Sequence, residues 1–229
     1  MLMLLDYDGV IVDSFDHLLD LCVQVWESLG CGRCPTARDF RTIENLAFAD
    51  LACAIGAPGD KAPLFAARVL ELQKADWPVR LFPGMRHALC ALAVRHTLAV
   101  ITSSRSETVA ASLRNAGLGD AISAVLGGDL GTSKAERIGA MRARHGESRG
   151  ATFMIGDTIG DIREGKRAGV RTVAVGWGYQ TAALLSKEAP DFLINKPSDL
   201  LQLAGRPLED LPAHAAARVV CSKREDCGQ

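Results

Sequence analysis

Residues 1–14 read MLMLLDYDGVIVDS. Five apolar residues run without a polar break and end on two aspartates, Asp6 and Asp8, with Gly9 directly behind them. A run that is apolar throughout, rather than alternating, suits a strand covered on both faces, as in a parallel sheet packed between helices. Side chains two apart on an extended chain point the same way, so Asp6 and Asp8 address one ligand. Glycine then lets the chain turn tightly. In open parallel sheets, ligands bind at the carboxyl ends of the strands, which is where this pair falls.

Runs of the same kind at residues 97–102, 123–127, 151–157, 171–176 and 191–194 predict further strands. Helical periods at 83–95, 106–116, 133–145 and 158–168 lie between most of them, and the alternation predicts an α/β layered fold. Ser104 with Glu107 and Ser133 with Glu136 have capping-box spacing, and Gly117 and Gly169 suit left-handed positions after helix ends. Residues 15–80 break the pattern. They hold no convincing strand, and Phe15, Leu18, Leu19, Cys22, Val25, Trp26 and Leu29 recur at helical intervals. The spacing therefore predicts an inserted helical unit over 15–80, with turn-rich Trp77-Pro78 and Phe82-Pro83-Gly84 returning the chain to a core made of 1–14 and 81–205. Residues 206–229 are richer in charged and small residues and read as a loosely attached tail.

The 229 residues are 48% hydrophobic and 23% charged, which is enough apolar material for a sizeable core and far from a disordered composition. Lys plus Arg number 26 against 27 Asp plus Glu, so no global field attracts nucleic acid or an anionic membrane, and small molecules are the expected partners. The apolar run at 1–5 is cut by Asp6 and lacks a basic leader, which fits neither a secretory signal nor a spanning helix; a cytoplasmic protein is expected. Seven cysteines at irregular spacing read as free thiols. The CGRC at 31–34 has the spacing of half a zinc site or a redox pair, with no second CxxC or HxxxH to complete it.

A second carboxylate group completes the picture. Residues 155–161 read IGDTIGD, placing Asp157 and Asp161 four apart where a strand gives way to a helix. Carboxylates gathered from two strand ends repel unless a cation compensates, and hard oxygen donors suit magnesium. The plainer account is that each aspartate caps a helix or forms a turn. Thr102 closes the run TLAVIT and precedes Ser103 and Ser104, so hydroxyls and free amides gather where an oxyanion docks. Lys134, after Thr132 and Ser133, supplies a point charge for a phosphoryl group, or else is a solvated surface lysine.

Together, DYDGVIVDS, VITSS, Lys134 before a helix and GDTIGDIREGKRAG resemble, in order, the four motifs of haloacid dehalogenase superfamily hydrolases. FPGM at 82–85 and VAVGWGYQ at 173–180 are similar to phosphoglycolate phosphatase relatives. The resemblance implies a Rossmann-like three-layer core with a parallel sheet and an inserted α-helical cap. It also implies a phosphatase acting on a small phosphorylated metabolite, as a monomer or homodimer. By that resemblance Asp6 attacks phosphorus and carries an aspartyl phosphate, and Asp8 serves as acid and then base. Thr102, Ser103 and Lys134 bind the phosphoryl oxygens. Magnesium is held by Asp6, the Asp8 carbonyl and Asp157, with Asp161 a nearby ligand or orienting group.

Asp8 separates the branches. Haloacid dehalogenases proper and phosphonoacetaldehyde hydrolases lack a carboxylate there, and the latter need a cap lysine, for which Lys61 and Lys74 are the candidates. A mutase of β-phosphoglucomutase type, sharing the aspartyl phosphate, is the nearest alternative; a non-catalytic phosphate-binding protein is the other. Phe15, His17, Arg33, Arg38, Arg41 and Asn45 are candidates for recognising the ester, or else form a solvated helix face. Ser103, Ser104 and Arg105 are better placed for it.

Overall fold

The computed structural model describes residues 1–44, 46–73, 80–205 and 218–219. The chain begins with β1 (Leu2–Leu5) and β2 (Val12–Asp13), then runs through α1 (Phe15–Leu29), α2 (Ala37–Thr42), α3 (Phe48–Ala54) and α4 (Lys61–Leu72). It returns through β3 (Arg80–Leu81), α5 (Met85–Ala93), β4 (Thr97–Ile101), α6 (Ser106–Asn115), β5 (Ala124–Leu126), α7 (Lys134–Arg144) and β6 (Thr152–Gly156). The remainder is α8 (Ile159–Arg167), β7 (Arg171–Val175), α9 (Ala182–Ser186), β8 (Phe192–Ile194), α10 (Asp199–Ala204) and β9 (Arg218–Val219).

The main sheet is parallel, in the order β5-β4-β1-β6-β7-β8-β9. Its strands are apolar throughout because both faces are covered. Met3 and Leu5 point to one face, where α5, α6 and α10 pack through Leu89, Leu113 and Leu203. Leu2 and Leu4 point to the other, against Ile138 and Met141 of α7. Farther along that face, Ile159 and Ile162 of α8 join Leu185 of α9. Phe153, about 1% exposed, is typical; burying such a side chain contributes roughly 2–3 kcal/mol.

Strand order reverses beside β1: the chain builds toward β5 on one side and toward β9 on the other. A crevice at the carboxyl ends is expected at such a reversal. The register aligns those ends, with Leu5 opposite both Val100 and Ile155. The residues immediately beyond β1, β4 and β6 are Asp6, Thr102 and Asp157, so topology alone brings them to one edge.

Helices α1–α4 share a separate cluster centred on Trp26, Phe40 and Phe65, with the Trp26 and Phe65 rings edge to face at 5.5 Å. They are framed by a two-stranded antiparallel ribbon, β2 with β3, in which Asp13 pairs with Arg80. Among the described residues, no helix is long and apolar enough to cross a membrane. Apart from 218–219, the expected tail lies outside the described residues, as do Lys74, Trp77 and Pro78.

The Ser133–Glu136 capping box forms, and Gly117 and Gly169 take positive φ after their helices. The Ser104–Glu107 box does not form. Helix α6 starts one residue later than that spacing requires, with Arg105 at the cap position. The first-turn amide of Ser106 is satisfied from afar, by Asp129 Oδ1 at 2.7 Å, which releases the Ser104 hydroxyl for another partner.

Candidate active site

Asp6 leaves the end of β1 with 7% exposure. Its Oδ1 accepts the Tyr7 N–H at 2.8 Å, and its Oδ2 lies 3.0 Å from the Lys134 ammonium. Lys134 is the first residue of α7, delivered there by the Ser133 cap, and its ammonium also donates to Asp161 Oδ1 at 2.6 Å. The other Asp161 oxygen accepts from the Thr158 hydroxyl at 2.7 Å and closes a capping box at the start of α8. Asp161 therefore fills the structural role of a helix cap and contributes to the charged cluster at once.

Asp157 is wholly buried. Gly9 and Gly178 enclose it, because a β-carbon at either position would collide with its side chain. Gly9 also takes a φ of +76°, a conformation that favours glycine. One Asp157 oxygen accepts the Tyr179 N–H at 2.7 Å; Oδ1 is buried with no hydrogen-bond partner. One oxygen from each of Asp6, Asp157 and Asp161 falls within 4.8 Å of the others. An orphaned buried carboxylate oxygen among three converging hard donors fits a divalent cation of the magnesium kind.

The charges reinforce that fit. Burial pushes Asp6 up to about 7, with Lys134 opposing and Asp161 and Asp8 adding to the rise. Burial, then repulsion from Asp161 and Asp6, raises Asp157 well above the usual carboxylate range. Burial acts to lower Lys134, but the Asp161 and Asp6 charges outweigh it and hold the ammonium above its ordinary value. One lysine leaves three carboxylates incompletely neutralised.

Asp8 stands apart from this group. Its carboxylate accepts from Ser14 Oγ at 2.6 Å and Ser104 Oγ at 2.7 Å. Burial raises its proton affinity and the two serines oppose the rise. Thr102 is buried at the end of β4, its hydroxyl accepting the Ser104 N–H at 3.1 Å. Asp8, Thr102 and Ser104 open onto a cavity of about 600 Å³, which Ser103, Asp6, Lys134, Asp157 and Asp161 also line.

Several contributors went unassigned in the sequence. Arg137, one turn along α7 from Lys134, donates to the carbonyls of Thr102 and Leu126 and locks the ends of β4 and β5 together. Tyr179 meets Asp157 through its N–H, Ser14 through its hydroxyl at 2.8 Å, and Phe15 through its ring at 5.1 Å. Gln180 accepts the first amide of α8, from Ile159, and donates to the Ile43 carbonyl beyond α2. Gln73, after α4, donates to Ser104 Oγ at 3.1 Å. Only Tyr179 and Gln180 carried a signal, as part of VAVGWGYQ; the rest depend on tertiary contacts.

Of the expected recognition residues, Ser103 and Ser104 line the cavity and the other described ones do not. Phe15, His17, Arg33, Arg38, Arg41 and Arg105 are absent from its lining, and Asn45 lies outside the described residues. Arg33 pairs with Asp39 at 2.9 Å, and the Arg41 guanidinium sits 5.1 Å from the centre of the Phe15 ring. Lys61 donates to the Leu29 carbonyl away from the cavity. Cys31 and Cys34 are free thiols and take no part in the carboxylate group.

Residues 3–175 match the family model for haloacid dehalogenase-like hydrolase. A phosphoglycolate phosphatase of Synechococcus elongatus is 28% identical over 199 residues, spanning 86% of this chain and 93% of its own length. A phosphoglycolate phosphatase of Aquifex aeolicus is 32% identical over 53% of this chain and 58% of its own. Among solved structures, a haloacid dehalogenase-like hydrolase from Streptococcus pneumoniae superposes with a TM-score of 0.77 at 21% identity, covering 89% of this chain and 97% of that one. At that identity the likeness carries the fold.

Proposed function

Since this chain belongs to the haloacid dehalogenase-like hydrolase family, we propose that it is a magnesium-dependent, phosphoglycolate phosphatase-like enzyme that cleaves a small phosphate monoester through an aspartyl phosphate on Asp6. The observation that carries the reading is the convergence of Asp6, Asp157 and Asp161 at the carboxyl edge of the sheet, with Lys134 paired to Asp6 and Asp161.

Asp6, Asp157 and the Asp8 carbonyl would hold the metal, with Asp161 beside them. When bound, the cation offsets the negative charge of the carboxylates and of the phosphoryl oxygens. Asp6 attacks phosphorus in line. The Thr102 hydroxyl, the turn at Ser103 and the Lys134 ammonium hold the phosphoryl oxygens, so much of the rate comes from positioning and charge neutralisation. Asp8, its proton affinity raised by burial, protonates the leaving oxygen and then takes a proton from the water that hydrolyses the aspartyl phosphate.

Residues 1–14 and 81–205 form the catalytic core in this reading, and 15–80 a cap over it. Tyr179, Gln180 and Gln73 tie the two together. The enzyme acts in the cytoplasm on a phosphorylated metabolite. Phosphate release from small esters, with and without magnesium, tests the proposal: metal-dependent turnover lost in Asp6→Asn supports it, and turnover indifferent to that substitution refutes it.

A further inference from the structure

The wall of the cavity that faces the carboxylates is apolar: Leu18, Phe40, Leu46, Phe48, Ala66 and Leu70 line it. All come from α1–α4 or the turn before α3, and they extend the cluster around Trp26. The charged lining comprises seven carboxylates, including Glu44 and Asp50, against four cations. Each of those cations already has a partner. Lys134 pairs with Asp6 and Asp161, and Arg137 donates to two carbonyls. Arg163 pairs with Glu44 and Glu188, and Arg167 with Glu164.

A carboxylate on the substrate's alcohol half would thus meet mainly hydrocarbon and the acids Glu44 and Asp50, and to reach Arg163 or Arg167 it would have to compete with Glu44, Glu188 or Glu164. Desolvating an unpaired carboxylate there is costly. An apolar chain gains instead, because each buried methylene strengthens binding. The cavity volume, about 600 Å³, exceeds what a two-carbon acid needs and falls in the usual range for small-molecule sites.

We propose that the ester cleaved at Asp6 has an uncharged alcohol half with an apolar body of several carbons, selected by Leu46, Phe48 and Leu70. The proposal rests on the phosphatase reading above. It separates this chain's substrate from phosphoglycolate, on which its relatives are named.

The test is kcat/KM of the intact protein, with magnesium, for methyl, ethyl, butyl and hexyl phosphate, phosphoethanolamine and phosphoglycolate. The n-alkyl leaving groups from ethyl upward are almost equally acidic, so their ratios report the pocket. Each buried methylene is worth roughly three- to fourfold, so the four extra methylenes of hexyl phosphate should raise it over ethyl phosphate by about 80- to 250-fold. Phosphoglycolate should fall at or below ethyl phosphate. A flat chain-length series, or a preference for phosphoglycolate or phosphoethanolamine over butyl phosphate, overturns the inference while leaving the phosphatase reading intact. No hydrolysis of any ester overturns both. Leu70→Arg should lower the hexyl-to-methyl ratio by about tenfold or more and raise phosphoglycolate relative to hexyl phosphate; the milder Phe48→Leu should lower the same ratio less. Because each ratio is taken within one variant, partial unfolding lowers both esters alike and does not imitate the result. An unchanged ratio in both variants contradicts the assignment.

Discussion

The Tyr179 N–H donates to one oxygen of Asp157 at 2.7 Å, which leaves the opposite oxygen buried and unpartnered. Gly9 and Gly178 close around the same side chain, so its position is set by backbone on two sides. A methyl group at 178 would displace it. Gly178→Ala and Asp157→Asn should each weaken magnesium binding by about 10- to 100-fold, read from the metal dependence of thermal unfolding. Undiminished stabilisation by magnesium in both variants would remove Asp157 from the metal site.

Among the described residues, Lys134 is the one cation paired with both Asp6 and Asp161. Lys134→Met should lower kcat by about 10²–10³-fold, since it removes a charge aimed at the phosphoryl oxygens. Lys134→Arg should recover little, because a planar fork does not replace a point charge between two carboxylates. Steady-state kinetics of the two variants distinguishes this role from a structural one, in which arginine would suffice.

The two serines on Asp8 favour its charged form, Ser104 more than Ser14. Removing either hydroxyl raises the carboxyl's proton affinity further. If Asp8 donates the proton to the leaving oxygen, the alkaline limb of the kcat profile should move to higher pH in Ser14→Ala and farther in Ser104→Ala. A limb that stays put in both variants would mean that another group supplies the proton.

Stability of the metal-free protein should carry the mark of Asp6. A carboxyl raised to about 7 in the folded state binds its proton more tightly than the unfolded chain does. Its contribution is therefore fully present below the unfolded value, near pH 4, and is lost as pH rises through about 7, at up to about 1.4 kcal/mol per pH unit. In chelator, thermal unfolding should come at a lower temperature near pH 8 than near pH 5, with a shallower dependence in Asp6→Asn. Magnesium should stabilise more at the higher pH, where it no longer competes with the proton.

Much of this arrangement was legible because it rests on local pattern. Strands β1, β4 and β6 are continuous apolar runs ending at Asp6, Thr102 and Asp157, and parallel register does the rest. What escaped depends on distant partners. The ribbon of β2 and β3 has two residues per strand, too short for periodicity, and forms only because the chain returns at residue 80. Ser104 has the spacing of a cap, yet Asp129, beyond β5, takes that role from afar. Arg33 and Arg41 looked available to a ligand, but Asp39 and the Phe15 ring claim them. Leu46 and Leu70 carry no signal of their own in the sequence, and only the packed structure brings them to the cavity that holds the carboxylates.

The central claim is that Asp6 accepts the phosphoryl group, and the most direct test is to trap it there. Protein quenched during turnover of a small ester in magnesium, then reduced with borohydride, should yield homoserine at position 6 in the peptide that carries it. The same treatment of Asp6→Asn should yield none, with phosphate release abolished. Turnover of the intact protein with no homoserine at position 6, together with undiminished phosphate release from Asp6→Asn, would contradict the account.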